Sequence, residues 1–193
     1  SLLAADIRIA ESVISDDLSI DTINNTIEIA CLSLLARQQL TETEVLTTVG
    51  CMRMSTTLER MGDLASHVAK QARLRYPNIS VPPQLQPTFA RMGELANKMV
   101  DCTGKTIKTQ ELSWALEMTT LDAEMDQIHR ELFSTVLSDS WTYGVEAAID
   151  VTLLSRFYER FADHGLTIAK RVASVVRGEP YGIARLEELP DSE

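Results

Sequence analysis

The sequence predicts an all-α protein built as two tandem three-helix bundles related by internal duplication, with the first helix of the N-terminal bundle truncated. Three observations predict it. A short acidic motif, Glu59-Arg60-Met61-Gly62-Asp63, returns 100 positions later as Glu159-Arg160-Phe161-Ala162-Asp163. Apolar residues around each copy keep the alternating four–three spacing of a helix packed along one seam. Four of the six prolines fall in Pro77–Pro87, a stretch that cannot continue a helix and divides the halves.

The first element is a helix carrying Val13, Ile20, Ile23, Ile27, Ala30 and Leu34. The second carries Cys51, Met54, Leu58, Met61, Ala65, Val68 and Ala72. Beyond the prolines, Phe89, Met92, Leu95, Ala96 and Met99 mark a helix over roughly 87–103. Met118, Met125, Ile128, Leu132 and Thr135 then repeat the first helix at an offset of 105. A long helix over roughly 145–176 closes the set with Ala147, Val151, Leu154, Tyr158, Phe161, Gly165, Ile168 and Val172. Such seams imply helices packed at small crossing angles.

The duplication leaves a gap. In the second half a helix precedes the acidic one, whereas only Ser1–Ala5 precede its first-half equivalent. A missing helix of roughly 20 residues is therefore expected; a plain five-helix protein is the alternative. The expected layout is a first bundle over 1–76, a Pro-rich linker over 77–87, a second bundle over 88–178 and an acidic tail over 179–193, expected to fray.

Composition narrows the partners. A net charge of −10 and a pI near 4.8 argue against nucleic acid as partner, since phosphate-backbone binding wants a basic face. Cys31, Cys51 and Cys102 form no CxxC and no Cys/His zinc spacing, and read as small buried thiols. No apolar run is long enough for a membrane span and no signal peptide opens the chain. HExxH, the Walker loop, the nucleophile elbow and GxGxxG are all absent, and nothing obviously catalytic remains.

The acids carry the chemistry. Asp17 and Asp21 precede Glu59 and Asp63 in the first half, as Asp122 and Asp126 precede Glu159 and Asp163 in the second. Each pair is four residues apart, about 6 Å along one helix face, so like charges stack and repel unless a cation sits between them. If the two helices of one half are neighbours, four carboxylates converge beside each core. Oxygen-only ligation favours magnesium, manganese, calcium or iron. Glu28 and His129 extend the stripes as further candidate ligands. The opposing reading is a solvated acidic face neutralised by Arg53, Arg60, Arg156 and Arg160.

With these motifs the chain resembles the PhoU family of bacterial phosphate-uptake and phosphate-signalling regulators. The resemblance rests on the two Glu-Arg-x-(Gly/Ala)-Asp motifs and their Asp-x-x-x-Asp partners, and covers essentially residues 1–178. The stretch Asp150-Val151-Thr152-Leu153-Leu154-Ser155-Arg156-Phe157-Tyr158-Glu159-Arg160-Phe161-Ala162-Asp163-His164 resembles actinobacterial members in particular. It implies two three-helix bundles related by a pseudo-twofold axis, with multinuclear iron or zinc sites held by the acidic motifs. It implies a negative regulator of the phosphate-starvation response and of phosphate uptake, with no enzymatic activity. That regulator would act between the Pst phosphate ABC transporter and a PhoR-type histidine kinase, as a cytoplasmic homodimer at the inner face of the membrane. The alternatives are a metal-dependent enzyme on a carboxylate-rich bundle and a metal-free helical scaffold.

Overall fold

A computed structural model describes residues 2–178. Five α-helices account for most of them: α1 (Ile7–Leu35), α2 (Glu42–Arg75), α3 (Gln86–Thr109), α4 (Leu112–Val136) and α5 (Gly144–Arg177). A short 3-10 turn, Pro83–Leu85, leads into α3. The acidic tail expected over 179–193 lies outside the described residues.

Local chemistry sets the helix ends. The Asp6 carboxylate accepts from the backbone N–H groups of Arg8 and Ile9 and starts α1. Thr41 and Glu44 form a reciprocal capping box at the start of α2. Gln86 and Pro87 already belong to α3, where a proline in the first turn loses no hydrogen bond, so the Pro-rich linker ends earlier than its composition indicates. Gly178, at φ +66°, terminates α5 in the left-handed conformation that glycine adopts at no cost.

Helices α3, α4 and α5 form a three-helix bundle. Its centre is rich in flexible side chains: Met92, Met99, Met118 and Met125 are buried with Leu95, Leu154 and Val151. At Gly165 the helices approach so closely that an added Cβ would lie 2.6 Å from Met99 Cγ and 2.8 Å from its sulfur. Here Gly165 replaces the first-half Ala65, while Ala162, 1% exposed, replaces Gly62 without loosening the core.

The first half is a hairpin of α1 and α2, and here the structure departs from the expected packing. The seam Val13, Ile20, Ile23, Ile27, Ala30 and Leu34 is not the buried face of α1: Ile20, Ile23 and Leu34 are exposed, Ile23 by 58%. The side of α1 that meets α2 is the seven-residue row Ala10, Asp17, Asn24 and Cys31. In the second half the corresponding apolar row lies under α3; in the first half no described helix covers it, and an apolar groove runs past Ile20, Ile23, Leu58, Met61, Val100 and Ile107. A repeat read from sequence supplies the pattern of a buried seam, but burial needs a helix on the other side.

The halves join through α2 and α5, which run antiparallel. The Arg75 guanidinium grips Asp150 at 2.6 and 2.9 Å, and Gln71 donates to the same carboxylate at 2.6 Å. His67 stacks on Phe157 in the middle. At the far end Arg171 donates to the Arg53 carbonyl at 2.6 Å and to the Thr57 hydroxyl. Gln71 and Arg171 are repeat equivalents, so the two ends are matching halves of one pseudo-twofold seam.

Candidate metal-binding faces

Two serines, at equivalent places in the repeats, fix how the acidic helices meet. Ser55 on α2 donates to Asn24 Oδ1 on α1 at 2.6 Å. Ser155 on α5 lies 3.0 Å from His129 Nδ1 on α4. Ser155 also donates to the Thr152 carbonyl at 3.1 Å, so its proton is committed and it accepts from His129. That arrangement puts the histidine proton on Nδ1 and leaves the Nε2 lone pair available. Sequence reasoning missed both serines; the signal was a serine four residues before Glu59 and again before Glu159.

Each bond locks one register, and each register brings a set of acids together. In the second half Glu159, Asp163, Asp122 and Asp126 lie within electrostatic reach of one another. Burial is the main reason that the Asp122 carboxyl is pushed up to about 6, with Asp126 and Asp163 adding to it and Lys170 opposing. Glu159 is also raised, first by burial, with Arg156 pulling the other way. Asp122 Oδ1 and Glu159 Oε2 are buried and accept no hydrogen bond among the described residues. Leaving buried acceptors unmet is costly, and a cation would meet them.

The first half assembles the same four positions. Glu59 is raised by burial first, then by Asp63 and Asp21, with Asp17 a smaller contributor and Arg60 opposing. A Cβ at Gly62 would lie 2.8 Å from Ile20 Cδ1 and 3.2 Å from the Asp17 carboxylate, so glycine there leaves room for that acid to lie beside α2. All four acids here are partly exposed; in the second half Glu159 is 9% exposed while Asp163 is open to solvent.

The remaining candidates divide. His129, half-buried beside Asp126, sits at the edge of the second face. Glu28 is exposed on α1, one turn beyond Asn24, and is not among the acids acting on Glu59. Of the arginines that the opposing reading named, Arg156 pairs with Glu159; Arg130, which it did not name, lies 3.8 Å from Asp126. Arg60 and Arg160 hold no ion pair among the described residues. As the side chains stand, no three carboxylate, imidazole or thiolate groups among the described residues are gathered tightly enough to hold one ion. The donor set is nevertheless of the right kind: hard oxygens on rigid helices, two of them orphaned.

The comparisons agree with one another. The PhoU domain family model matches residues 1–72 and 89–172, one match for each half. The phosphate-specific transport system accessory protein PhoU homolog 2 of Mycobacterium tuberculosis is 40% identical over 172 residues, covering 89% of this chain and 81% of that protein. Homolog 1 of the same species is 34% identical over 178 residues, covering 92% and 80%. The crystal structure of PhoU from Pseudomonas aeruginosa superposes with a TM-score of 0.81 at 26% identity, covering 92% of this chain and 85% of that one. The PhoU structure from Streptococcus pneumoniae, at 23% identity and a TM-score of 0.76, shares the fold.

Proposed function

The chain belongs to the PhoU family, and from that premise we propose that it is a non-enzymatic negative regulator of phosphate uptake and of the phosphate-starvation response. It acts as a metal-binding adaptor between a Pst-type phosphate ABC transporter and a PhoR-type histidine kinase. The support for the phosphate-transport role is its relatedness to proteins named as accessories of the phosphate-specific transport system. No helix among the described residues is long and apolar enough to cross a membrane, which suits an adaptor that docks, as a homodimer, at the inner face of a membrane complex.

The observation that carries the metal reading is the pair of orphaned oxygens, Asp122 Oδ1 and Glu159 Oε2, inside a set of four converging carboxylates. Asp122, Asp126, Glu159 and Asp163 would hold one centre, with His129 Nε2 at its edge. Asp17, Asp21, Glu59 and Asp63 would hold the other. Iron or zinc is the expected occupant, ahead of manganese, magnesium and calcium. The metal supplies positive charge that neutralises the acids. The chain's own residues do the rest: the helices fix the spacing, and the two serine contacts set the register at which the acids face each other. A neutralised face on each half then becomes a rigid surface for a partner.

Two measurements test this. Deleting the chain in its host should switch on phosphate-starvation genes in phosphate-replete medium, and unchanged expression would sink the regulatory role. Elemental analysis, on protein prepared without chelator or a metal-affinity tag, should find stoichiometric metal that an Asp122/Asp126/Glu159/Asp163 quadruple-alanine variant loses from its second half. Equal metal content in both proteins would refute the site while leaving the regulatory role to the genetic result.

A further inference from the structure

The acidic faces lie on the outer flanks of α2 and α5. The seam between those two helices has the opposite character. Helical periodicity places Arg160, His164, Thr167 and Arg171 on one stripe of α5, at steps of four, three and four residues. The matching stripe of α2 carries Arg53, Thr57 and Arg60. The antiparallel register, fixed at one end by Asp150 with Gln71 and at the other by Arg171 with Arg53 and Thr57, lays Arg60 opposite His164. In a chain of net charge −10, this seam gathers four arginines and a histidine.

We propose that the outer face of the α2–α5 seam, centred on Arg60, Arg160, His164 and Arg171, binds a tetrahedral dianion of the phosphate class. Three observations carry it. First, Arg60 and Arg160 are exposed and hold no ion pair among the described residues. Second, Arg171 is fixed in place: its Nη1 donates to the Arg53 carbonyl at 2.6 Å and to the Thr57 hydroxyl, which itself donates to that carbonyl at 2.8 Å. A guanidinium anchored in this way holds its positive charge at a fixed place beside the seam. Third, Arg60 and Arg160 are repeat equivalents beside the pseudo-twofold axis, so two like forks flank one place. A tetrahedral anion with equivalent oxygens suits paired forks, each able to donate two hydrogen bonds.

The charges there are close enough to be felt. His164 lies within electrostatic reach of Arg160, Arg60 and Arg171, and of Asp163 on the acidic side. Asp63 and Asp163 follow their arginines by three residues and stand at the margins of the seam. An anion between the forks relieves the repulsion, as a cation does on the acidic faces.

Chelator-treated full-length chain separates anion binding at the seam from metal binding at the acidic faces. Inorganic phosphate is titrated into that protein in chloride buffer and followed by calorimetry and by amide shifts at Thr57 and Thr167. One saturable site is expected, weakened about tenfold by Arg60→Ala or Arg160→Ala and lost in the double variant. Arg37→Ala, which removes an exposed cation away from both the seam and the acidic faces, should bind like the parent. All four variants change exposed residues, and helix content by circular dichroism verifies that they fold. Glycerol 3-phosphate and sulfate distinguish the source: phosphate and sulfate alone assign a free anion, and equal binding of the ester assigns a phosphoryl group. No saturable binding, or binding that survives the double variant, would overturn the proposal.

Discussion

Ser155 Oγ and His129 Nδ1 stand 3.0 Å apart across α4 and α5, where the first half places Ser55 and Asn24 at 2.6 Å. The same contact, made with different chemistry, sets the register beside both acidic faces. Ser155 is fully buried, so replacing it with alanine leaves the His129 N–H without its acceptor. Ser155→Ala should cost about 1–2 kcal/mol by urea unfolding. His129→Asn, which copies the first-half pair, should cost less than about 0.5 kcal/mol. A larger loss for the asparagine variant would mean that the imidazole also stabilises α4 itself, through its edge contact with Phe133 one turn along that helix.

Glycine at the two close approaches is not equivalent. An added Cβ at Gly165 meets Met99 at 2.6 and 2.8 Å and the Met118 methyl at 3.4 Å, both side chains buried. Alanine gains about 1 kcal/mol of helix propensity there but overpacks a filled core by about 1–3 kcal/mol. Gly165→Ala should therefore lower stability by about 1 kcal/mol, read from the thermal midpoint. At Gly62 the obstructing Ile20 is 36% exposed and free to swing aside, so Gly62→Ala should leave stability nearly unchanged. It should still displace Asp17, and the readout is weaker metal uptake by the first half in a variant lacking the second-half acids.

Much of this was legible in the sequence because duplication prints every feature twice. The repeated Glu59 and Glu159 motifs, at offsets matched by Asp17 and Asp122, are enough by themselves to locate both acidic faces. The buried side of α1 was not legible. Its apolar row reads as a core seam, yet the side packed on α2 is Ala10, Asp17, Asn24 and Cys31, mixed in polarity because the acids must lie there. Hydrophobic pattern alone cannot say which neighbour is present. The basic seam was equally hidden: Arg60, His164 and Arg171 are far apart in sequence, and only the antiparallel register of α2 on α5 makes them neighbours.

Asp122 makes metal-free stability depend on pH. Its carboxyl titrates near 3.8 in the unfolded chain and at about 6 when folded, so folding favours the protonated form. That contribution is fully present below pH 3.8 and is lost as pH rises through about 6. A shift of this size corresponds to at most about 3 kcal/mol, reduced to about 1–2 by solvent screening of a half-exposed group. In chelator, Asp122→Asn should thus be more stable than the parent at pH 7.5 and equal to it near pH 4. Stoichiometric metal should reverse the order at pH 7.5, because the asparagine loses a charged ligand. Thermal midpoints across pH, with and without metal, decide the matter.

The clamp between Arg75 and Asp150 joins the halves, and it is the contact whose loss should be felt most. Asp150 is 3% exposed and accepts from Arg75 at 2.6 and 2.9 Å and from Gln71 at 2.6 Å. Its partner reaches further, to Glu146 at the surface. Removing the guanidinium by Arg75→Ala strands a buried carboxylate with one neutral donor. The cost of breaking such a pair runs to about 3–5 kcal/mol, and because Arg75 is partly exposed the lower end applies. The charge itself need not be what stabilises the seam. If the penalty is mainly the stranded carboxylate, then Arg75→Met with Asp150→Leu should recover most of the loss, bringing the double variant to within about 1 kcal/mol of the parent. Failure of the double variant to recover would show that the geometry of the clamp, rather than simple neutrality, holds α2 on α5. A urea-unfolding cycle of the two single variants and the double measures the coupling directly, and any loosening of α2 from α5 should also appear as disrupted stacking of His67 on Phe157.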